Sequence, residues 1–452
     1  MTITRALSEA VLDGGLGTPP AAALDAANAS LVDAVSVTLA ATGLEPAVAP
    51  FPRYVRAIGG TGEARFFGGG GLRVPAGSAA LVNGALGHAL DFEDTFDAAG
   101  GHPNAIAIPV LLALGELTSA SGAEVLSAMA VGAELTCRLG LGLRRDPAAL
   151  GWYHPPMLGT LGAVLGAARL LRLEPGQTAD ALSLAMTGFS LMAELKRSPD
   201  STLRAVRDGL AARAAVEAVR LALAGVRGFV LPLEGEAGFF RQISGAEPDE
   251  DAILDGLGTR WFNTGLTIKQ WPTCRGTHAA MAMARRMRDD GLAADAIERI
   301  AVTVSSPDEM LMQPLDQKRA PATVIDAKFS IPFTSALMLE RGDVTLGSFL
   351  DLVPPSLAAR FDYAGSFGGD PRLEGLTRFD VTLRGGGQRC YEQRRPAAAT
   401  TGAVAVETLR AKFDACVVHA RPRLPDGAAE RLFDALLDFR GGPAGNLFDA
   451  IG

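Results

Sequence analysis

Histidine is scarce in this chain: five occur in 452 residues. The four cysteines, Cys137, Cys274, Cys390 and Cys416, are scattered. Their spacing fits no zinc or iron–sulfur motif, and they are too few for a disulfide scaffold. A reducing, cytoplasmic compartment is therefore expected. Aromatic residues make up only 6% of the chain, while Ala and Gly abound, which favours closely packed helices over a β-sandwich. Net charge is −8 and no run of Lys and Arg appears, so nucleic acid is not an expected partner. The start, MTITRALSEAVLDGG, has acids and no sustained apolar stretch, unlike a secretory signal. No apolar run approaches the ~20 residues of a membrane span. AIAIPVLLALGE is short and interrupted by Pro109, and no membrane contact is expected. GGGG at 68–71 is not a phosphate loop, because no Gly-Lys-Ser/Thr follows it.

Helical periodicity runs from about residue 20 to 265, as in AAALDAANASLVDAVSVTLAATG and GAEVLSAMAVGAELTCRLGLGL. ALVNGALGHAL and GTLGAVLGAARLL are nearly apolar all round, which predicts buried central helices. After about residue 260, ERIAVTVSS and TRFDVTLRGGG alternate in the strand period, with helical segments between them. The tail, with AAERLFDALLDF, returns to helical spacing. The expected fold is mainly α. It has a large helical domain at 1–260, a smaller α+β lid domain at 261–394, and a return to the helical domain at 395–452.

Four of the five histidines lie in segments suited to chemistry. Imidazole has the one side-chain pKa near neutrality, which makes it the usual proton carrier. His88 and His102 bracket HALDFEDTFDAAGGHP. On a helix end, His88 and Asp91 would share a face, and a carboxylate beside an imidazole fixes its tautomer. The plain alternative is a solvated helix end with a capping Thr or Asp. A metal site is a further option, although the spacing fits no standard motif. His154 precedes Pro155-Pro156 and a Gly-rich helix whose N-terminus suits an anion; it could equally satisfy backbone groups. Lys196, after an apolar helix, reads on its own as compensation of the helix dipole. In KQWPTCRGTH, Lys269 and Arg275 supply positive charge near His278, which a cap at Gly276 or Thr277 would place in the first turn of a helix. Cys274 in the same segment reads as a structural thiol.

Taken together, NGALGHALDFEDT, HPNAIAIPVLLALGE, HPPMLGTLGAVLGAA, Lys196, KQWPTCRGTH and DAKFSIPF resemble the MmgE/PrpD family. They occur in the family's order across nearly the whole chain. The family includes 2-methylcitrate dehydratase, cis-aconitate decarboxylase and iminodisuccinate epimerase. The resemblance implies a helical domain with an α+β lid, a homodimer, and catalysis without metal or organic cofactor. It marks Asp91, Thr95, His102, Lys196 and His278 as catalytic, and His154, Lys269 and Arg275 as substrate-binding. Two departures stand out. SPDST follows Lys196 and Arg197 in place of the family's His and Gly. Phe333 occupies a position where the resemblance puts a tyrosine in decarboxylases, which weighs against decarboxylation.

The reading that follows is a lyase acting on a small di- or tricarboxylate, with 2-methylcitrate dehydratase-like loss of water as the leading reaction. Epimerisation or decarboxylation of a related acid is the alternative, and a non-catalytic dimeric binding protein is the alternative of another class. In the enzymatic readings His102 and His278 form the acid–base pair. Asp91 orients or polarises one of them, and Thr95 hydrogen-bonds the substrate. Lys196, Lys269 and Arg275 hold carboxylates, and lid closure excludes water.

Overall fold

The computed structural model describes residues 2–12, 16–188, 192–196, 198, 201–368, 371–373, 375–395 and 400–451. The chain is mainly α with a smaller α+β part. It divides into two compact units, Met1–Ile268 with Ala399–Gly452, and Lys269–Ala398.

The first unit is helical. Every residue of the helix Ala76–His88 is buried, as its lack of a polar face dictates. It packs against the helix Leu203–Leu223, and glycine makes the approach possible. A Cβ at Gly209 would lie 2.3 Å from the Leu81 carbonyl oxygen. The close crossing brings Arg207 and Asp208 beside His88. The helices Pro103–Thr118 and Gly122–Leu141 both pack on Pro155–Leu171. At one of these crossings a Cβ on Gly162 would meet Thr136 Oγ1 at 1.8 Å. The helix Gly122–Leu141 starts from a capping box between Ser121 and Glu124.

Two expectations about apolar segments are corrected. Pro109 does not interrupt its segment but lies inside the continuous helix Pro103–Thr118; buried neighbours hold the helix together where the ring removes one N–H. The helix Ala21–Leu44, with 24 residues, is long and apolar enough to cross a membrane. Its apolar positions are interspersed with Ala, Ser, Thr, Asp25 and Asp33, so no single run announces it. Most of it is buried inside the unit, against Ala76–His88, Gly122–Leu141 and the returning helix Val406–Val417.

The returning helix pins the loop that follows His88. Lys412 Nζ lies 2.5 Å from Asp33 Oδ1 and donates to the Phe92 carbonyl oxygen at 2.8 Å. It also sits 3.7 Å from the centre of the Phe92 ring.

The second unit holds a four-stranded sheet. Its order is β4 (Phe361–Ser366), β3 (Ile297–Val304), β5 (Leu376–Leu383), β6 (Gln388–Arg394); β1 (Ala64–Arg65) and β2 (Arg73–Val74) pair in the first unit. β3 runs parallel to β4 and antiparallel to β5, and β5 pairs antiparallel with β6. The alternation in β3 and β5 buries Ile300, Val302, Val304, Phe379 and Val381. The helices His278–Asp289 and Ile331–Arg341 pack on each other, and the first also touches β5 and β6.

Candidate active site

The first unit assembles a carboxylate–imidazole cluster from one continuous loop. The helix Ala76–His88 stops at His88. Asp91 then turns the chain with a left-handed φ of 49°, its N–H donating to the His88 carbonyl oxygen at 2.9 Å. Asp tolerates that conformation better than most residues, and a strained residue of this kind often marks function. His88 and Asp91 therefore do not share a helical face, because the helix ends before Asp91. The carboxylate that reaches His88 is Glu93, which the sequence showed only as one acid among several.

Glu93 Oε1 lies 2.5 Å from His88 Nδ1 and 3.0 Å from His102 Nδ1. His102 Nδ1 is also 3.2 Å from the Asp94 carbonyl oxygen. Every partner of that nitrogen is an acceptor, so it carries the proton. His102 Nε2 faces Asp91 Oδ1 across 4.0 Å, too far for a direct hydrogen bond. The two imidazole rings meet edge to face with centres 5.1 Å apart. Burial pushes the Glu93 carboxyl up, but the two imidazoles outweigh it and hold it well below the usual carboxylate range. A cavity of about 10 Å³ touches Glu93 and Asn104. Their Oε2 and Oδ1 atoms have no hydrogen-bond partner among the described residues.

Neighbouring groups support the loop. Asp94 accepts from Ser30 Oγ at 2.5 Å and from Asn104 Nδ2 at 2.7 Å. Burial, with Asp33 nearby, raises its carboxyl to about 6. Thr95 exchanges backbone hydrogen bonds with Thr267 at 3.0 and 2.8 Å. Its hydroxyl donates to Asp97 Oδ1 at 3.3 Å. From the packed helix, Asp208 Oδ2 comes within 3.6 Å of His88 Nδ1. Arg207 lies over the Tyr153 ring, 4.7 Å from its centre, and donates to its hydroxyl at 3.2 Å.

His154 is the residue before the helix Pro155–Leu171 and is half-buried. Its neighbour Tyr153 is the one joined to Arg207. Lys196 ends the short helix Ala193–Lys196; its side chain, like residues 197 and 199–200, lies outside what the structure describes.

The second unit gathers a different set. His278 is the first residue of its helix, with Thr277 before it. Thr277 makes no side-chain capping bond; its hydroxyl donates to the Cys274 carbonyl oxygen at 2.9 Å and lies at the same distance from Thr273 Oγ1, which can donate to it. Gly276 allows the turn, since a Cβ there would lie 2.5 Å from Asp308 Oδ1. His278 is buried edge-on to Trp271, with ring centres 5.1 Å apart. Burial, then the charges of Arg275 and Lys269, and also Arg395, push its imidazole well below the usual range, against a hydrogen bond to the Thr273 backbone. That bond takes one ring nitrogen, while buried Nε2 has no partner among the described residues. The fold therefore favours the neutral His278 imidazole with its lone pair at Nε2; of the cations near it, Arg395 is paired with Asp308 at 3.2 Å. Lys269 and Arg275 are themselves buried. The position of the expected tyrosine is filled by buried Phe333, stacked on Phe349 with centres 6.4 Å apart.

The structure thus brings Asp91, Thr95 and His102 onto one loop of the first unit, and Lys269, Arg275 and His278 together in the second. Glu93, Tyr153, Arg207, Asp208 and Arg395 join them without having been singled out. For Arg207 and Asp208 the only signal was Gly209, a glycine inside a helical pattern. The ligand atoms of His88, Asp91, Glu93 and His102 lie within 4.8 Å of one another, a donor set that divalent ions accept. Both Nδ1 atoms nevertheless point at the same oxygen at hydrogen-bonding distance.

The MmgE/PrpD N-terminal domain profile matches residues 5–251, more than half of the chain, and the MmgE/PrpD C-terminal domain profile matches residues 271–353. The chain belongs to the MmgE/PrpD family. Among curated relatives, the cis-aconitate decarboxylase of Mus musculus is 28% identical over 331 residues, 71% of this chain and 66% of the mouse protein. The human cis-aconitate decarboxylase is 28% identical over 62% of this chain and 58% of its own length. The cis-aconitate decarboxylase-like protein oryM of Aspergillus oryzae is 27% identical over 60% of each. The matched part thus spans less than two thirds of each of these relatives.

Proposed function

We propose that this chain is a lyase acting on a small di- or tricarboxylic acid, and that cis-aconitate is the first substrate to test. The observation that carries the proposal is the burial of Lys269 and Arg275 in the same segment as buried His278, whose Nε2 has no partner among the described residues. Cations around an imidazole suit a substrate with several carboxylates and a reaction that builds negative charge beside them. The names of the mouse, human and Aspergillus relatives support decarboxylation.

In that reaction the C–C bond to the departing carboxylate breaks and CO₂ leaves. The electron pair stays on carbon, delocalised through the adjacent double bond towards a remaining carboxylate. In the second unit Lys269 and Arg275 suit stabilisation of that charge; in the first, His102 Nε2 suits the return of a proton to carbon. Asp91 orients the ring–substrate contact, and Thr95 contributes a hydroxyl. Lys196 and His154 bind the substrate's other end.

A second reading has its own support. The lone pair at His278 Nε2 suits removal of a proton from carbon, which dehydration of a 2-methylcitrate-type acid or epimerisation requires and decarboxylation does not. Phe333 brings no hydroxyl to the position where the family resemblance puts a tyrosine in decarboxylases.

Incubation with cis-aconitate, 2-methylcitrate, citrate and chiral succinate derivatives in heavy water separates the reactions. CO₂ release identifies the decarboxylase. A new ultraviolet-absorbing double bond identifies the dehydratase. Exchange at the α-carbon without loss of water identifies the epimerase. Turnover of none of these acids overturns the proposal.

A further inference from the structure

We propose that Glu93 is a positioning residue that grips His88 and His102 together by their Nδ1 protons and thereby makes Nε2 of His102 its working nitrogen. The inference deepens the proposed function and rests on the role given there to His102. Three observations lead to it. One carboxylate oxygen, Glu93 Oε1, serves both Nδ1 atoms, at 2.5 Å and 3.0 Å. The second acceptor near each of these nitrogens, Asp208 Oδ2 at 3.6 Å for His88 and the Asp94 carbonyl oxygen at 3.2 Å for His102, also calls for a proton on nitrogen. Finally, the His88 and Glu93 side chains are 2% and 1% exposed, whereas His102 is 16% exposed, so His102 is the member of the trio that a ligand can touch.

A carboxylate holding Nδ1–H keeps a neutral imidazole in the tautomer whose Nε2 is a bare acceptor, and keeps Nε2–H pointing outward once the ring is protonated. His102 can then give a proton at Nε2 and take it back there, with no ring flip. The second imidazole makes the grip rigid. His88 ends a fully buried helix, so Glu93 is anchored to the core by one hydrogen bond and orients the exposed ring with the other. Removing a carboxylate of this kind leaves the side chains in place but frees the wrong tautomer, a change worth about 10⁴-fold in a serine protease triad.

The test is nitrogen-15 NMR of histidine-labelled protein, practical because the chain has only five imidazoles, with His88→Gln and His102→Gln used for assignment. Both rings are expected to carry Nδ1–H in the wild type. In Glu93→Gln, His102 is expected to populate the Nε2–H tautomer, and kcat on the acid that is turned over is expected to fall at least 10²-fold with KM changed far less. Glu93→Asp, which keeps the charge, is expected to recover part of the rate and the Nδ1–H signal. If Glu93→Gln does not fold, the wild-type spectrum and Glu93→Asp decide. A wild-type His102 ring protonated at Nε2 and not at Nδ1, a ring nitrogen shifted by a bound metal, or an unmoved His102 tautomer in folded Glu93→Gln overturns the proposal. So does an unchanged kcat. The spectra need no substrate, so failure to turn over any acid counts against the proposed function alone.

Discussion

Asp91 Oδ1 faces His102 Nε2 across 4.0 Å, from a residue whose φ is 49°. The gap is too wide for a direct hydrogen bond, but it keeps the carboxylate charge beside the partly exposed ring. Asp91→Asn keeps the shape and removes the charge. It is expected to lower kcat by roughly 10²–10⁴-fold, the range for loss of an acid–base group, with little change in the unfolding midpoint. Steady-state kinetics beside chemical denaturation checks this.

In the second unit, Lys269→Met and His278→Gln should separate binding from chemistry. Lys269→Met is expected mainly to raise KM, because it removes a carboxylate contact made in ground and transition states alike. His278→Gln is expected mainly to lower kcat. Its burial also sets a pH dependence. The imidazole is held neutral in the fold, below its unfolded range, so the unfolded chain binds the extra proton. Stability therefore falls as pH drops below about 6.5, with a slope of up to about 1.4 kcal/mol per unit. His278→Gln is expected to flatten that slope in denaturation titrations.

Asp94 has the opposite sign. Its carboxyl is raised to about 6 from the usual 3.8, so the fold prefers the protonated form. The stability it contributes is complete below pH ~4 and is lost as pH rises through 6, a cost of at most about 3 kcal/mol. Asp94→Asn is expected to stabilise the chain by about 1–2 kcal/mol at pH 8, with the gain vanishing near pH 4. Urea midpoints at the two pH values read it directly.

Lys412 joins the returning helix to the Asp91–Thr95 loop through Asp33 and the Phe92 carbonyl oxygen. Lys412→Met leaves Asp33 buried without its cation. That is expected to cost about 3–5 kcal/mol, and to raise hydrogen exchange in the loop. A double-mutant cycle with Asp33→Leu is expected to recover most of the loss.

The sequence shows much of this site where the chemistry is local. Asp91, Thr95 and His102 fall within one short run of acids and glycines, and Lys269, Arg275 and His278 within another. What it conceals is long-range. Arg207 and Asp208 lie in RAVRDGLAARAA, where charged residues in a helical pattern look like a solvated face, and only the crossing at Gly209 turns them inward. Glu93 could not be ranked above Asp91 because the helix end at His88 decides which acid reaches the ring. In the fold, β3 and β5 were legible from their alternation. The edge strands β4 and β6 were not, because edges carry polar and charged residues such as those of QRCYEQR, which break the pattern.

Turnover of cis-aconitate and the other acids by the wild type, His102→Ala and His278→Ala, with folding checked by circular dichroism, tests the central claim most directly. The account predicts turnover of at least one acid by the wild type, a loss of 10²-fold or more in folded His102→Ala, and a like loss in folded His278→Ala where the reaction removes a proton from carbon. A wild type inert towards every acid, or folded His102→Ala as active as the wild type, would contradict it.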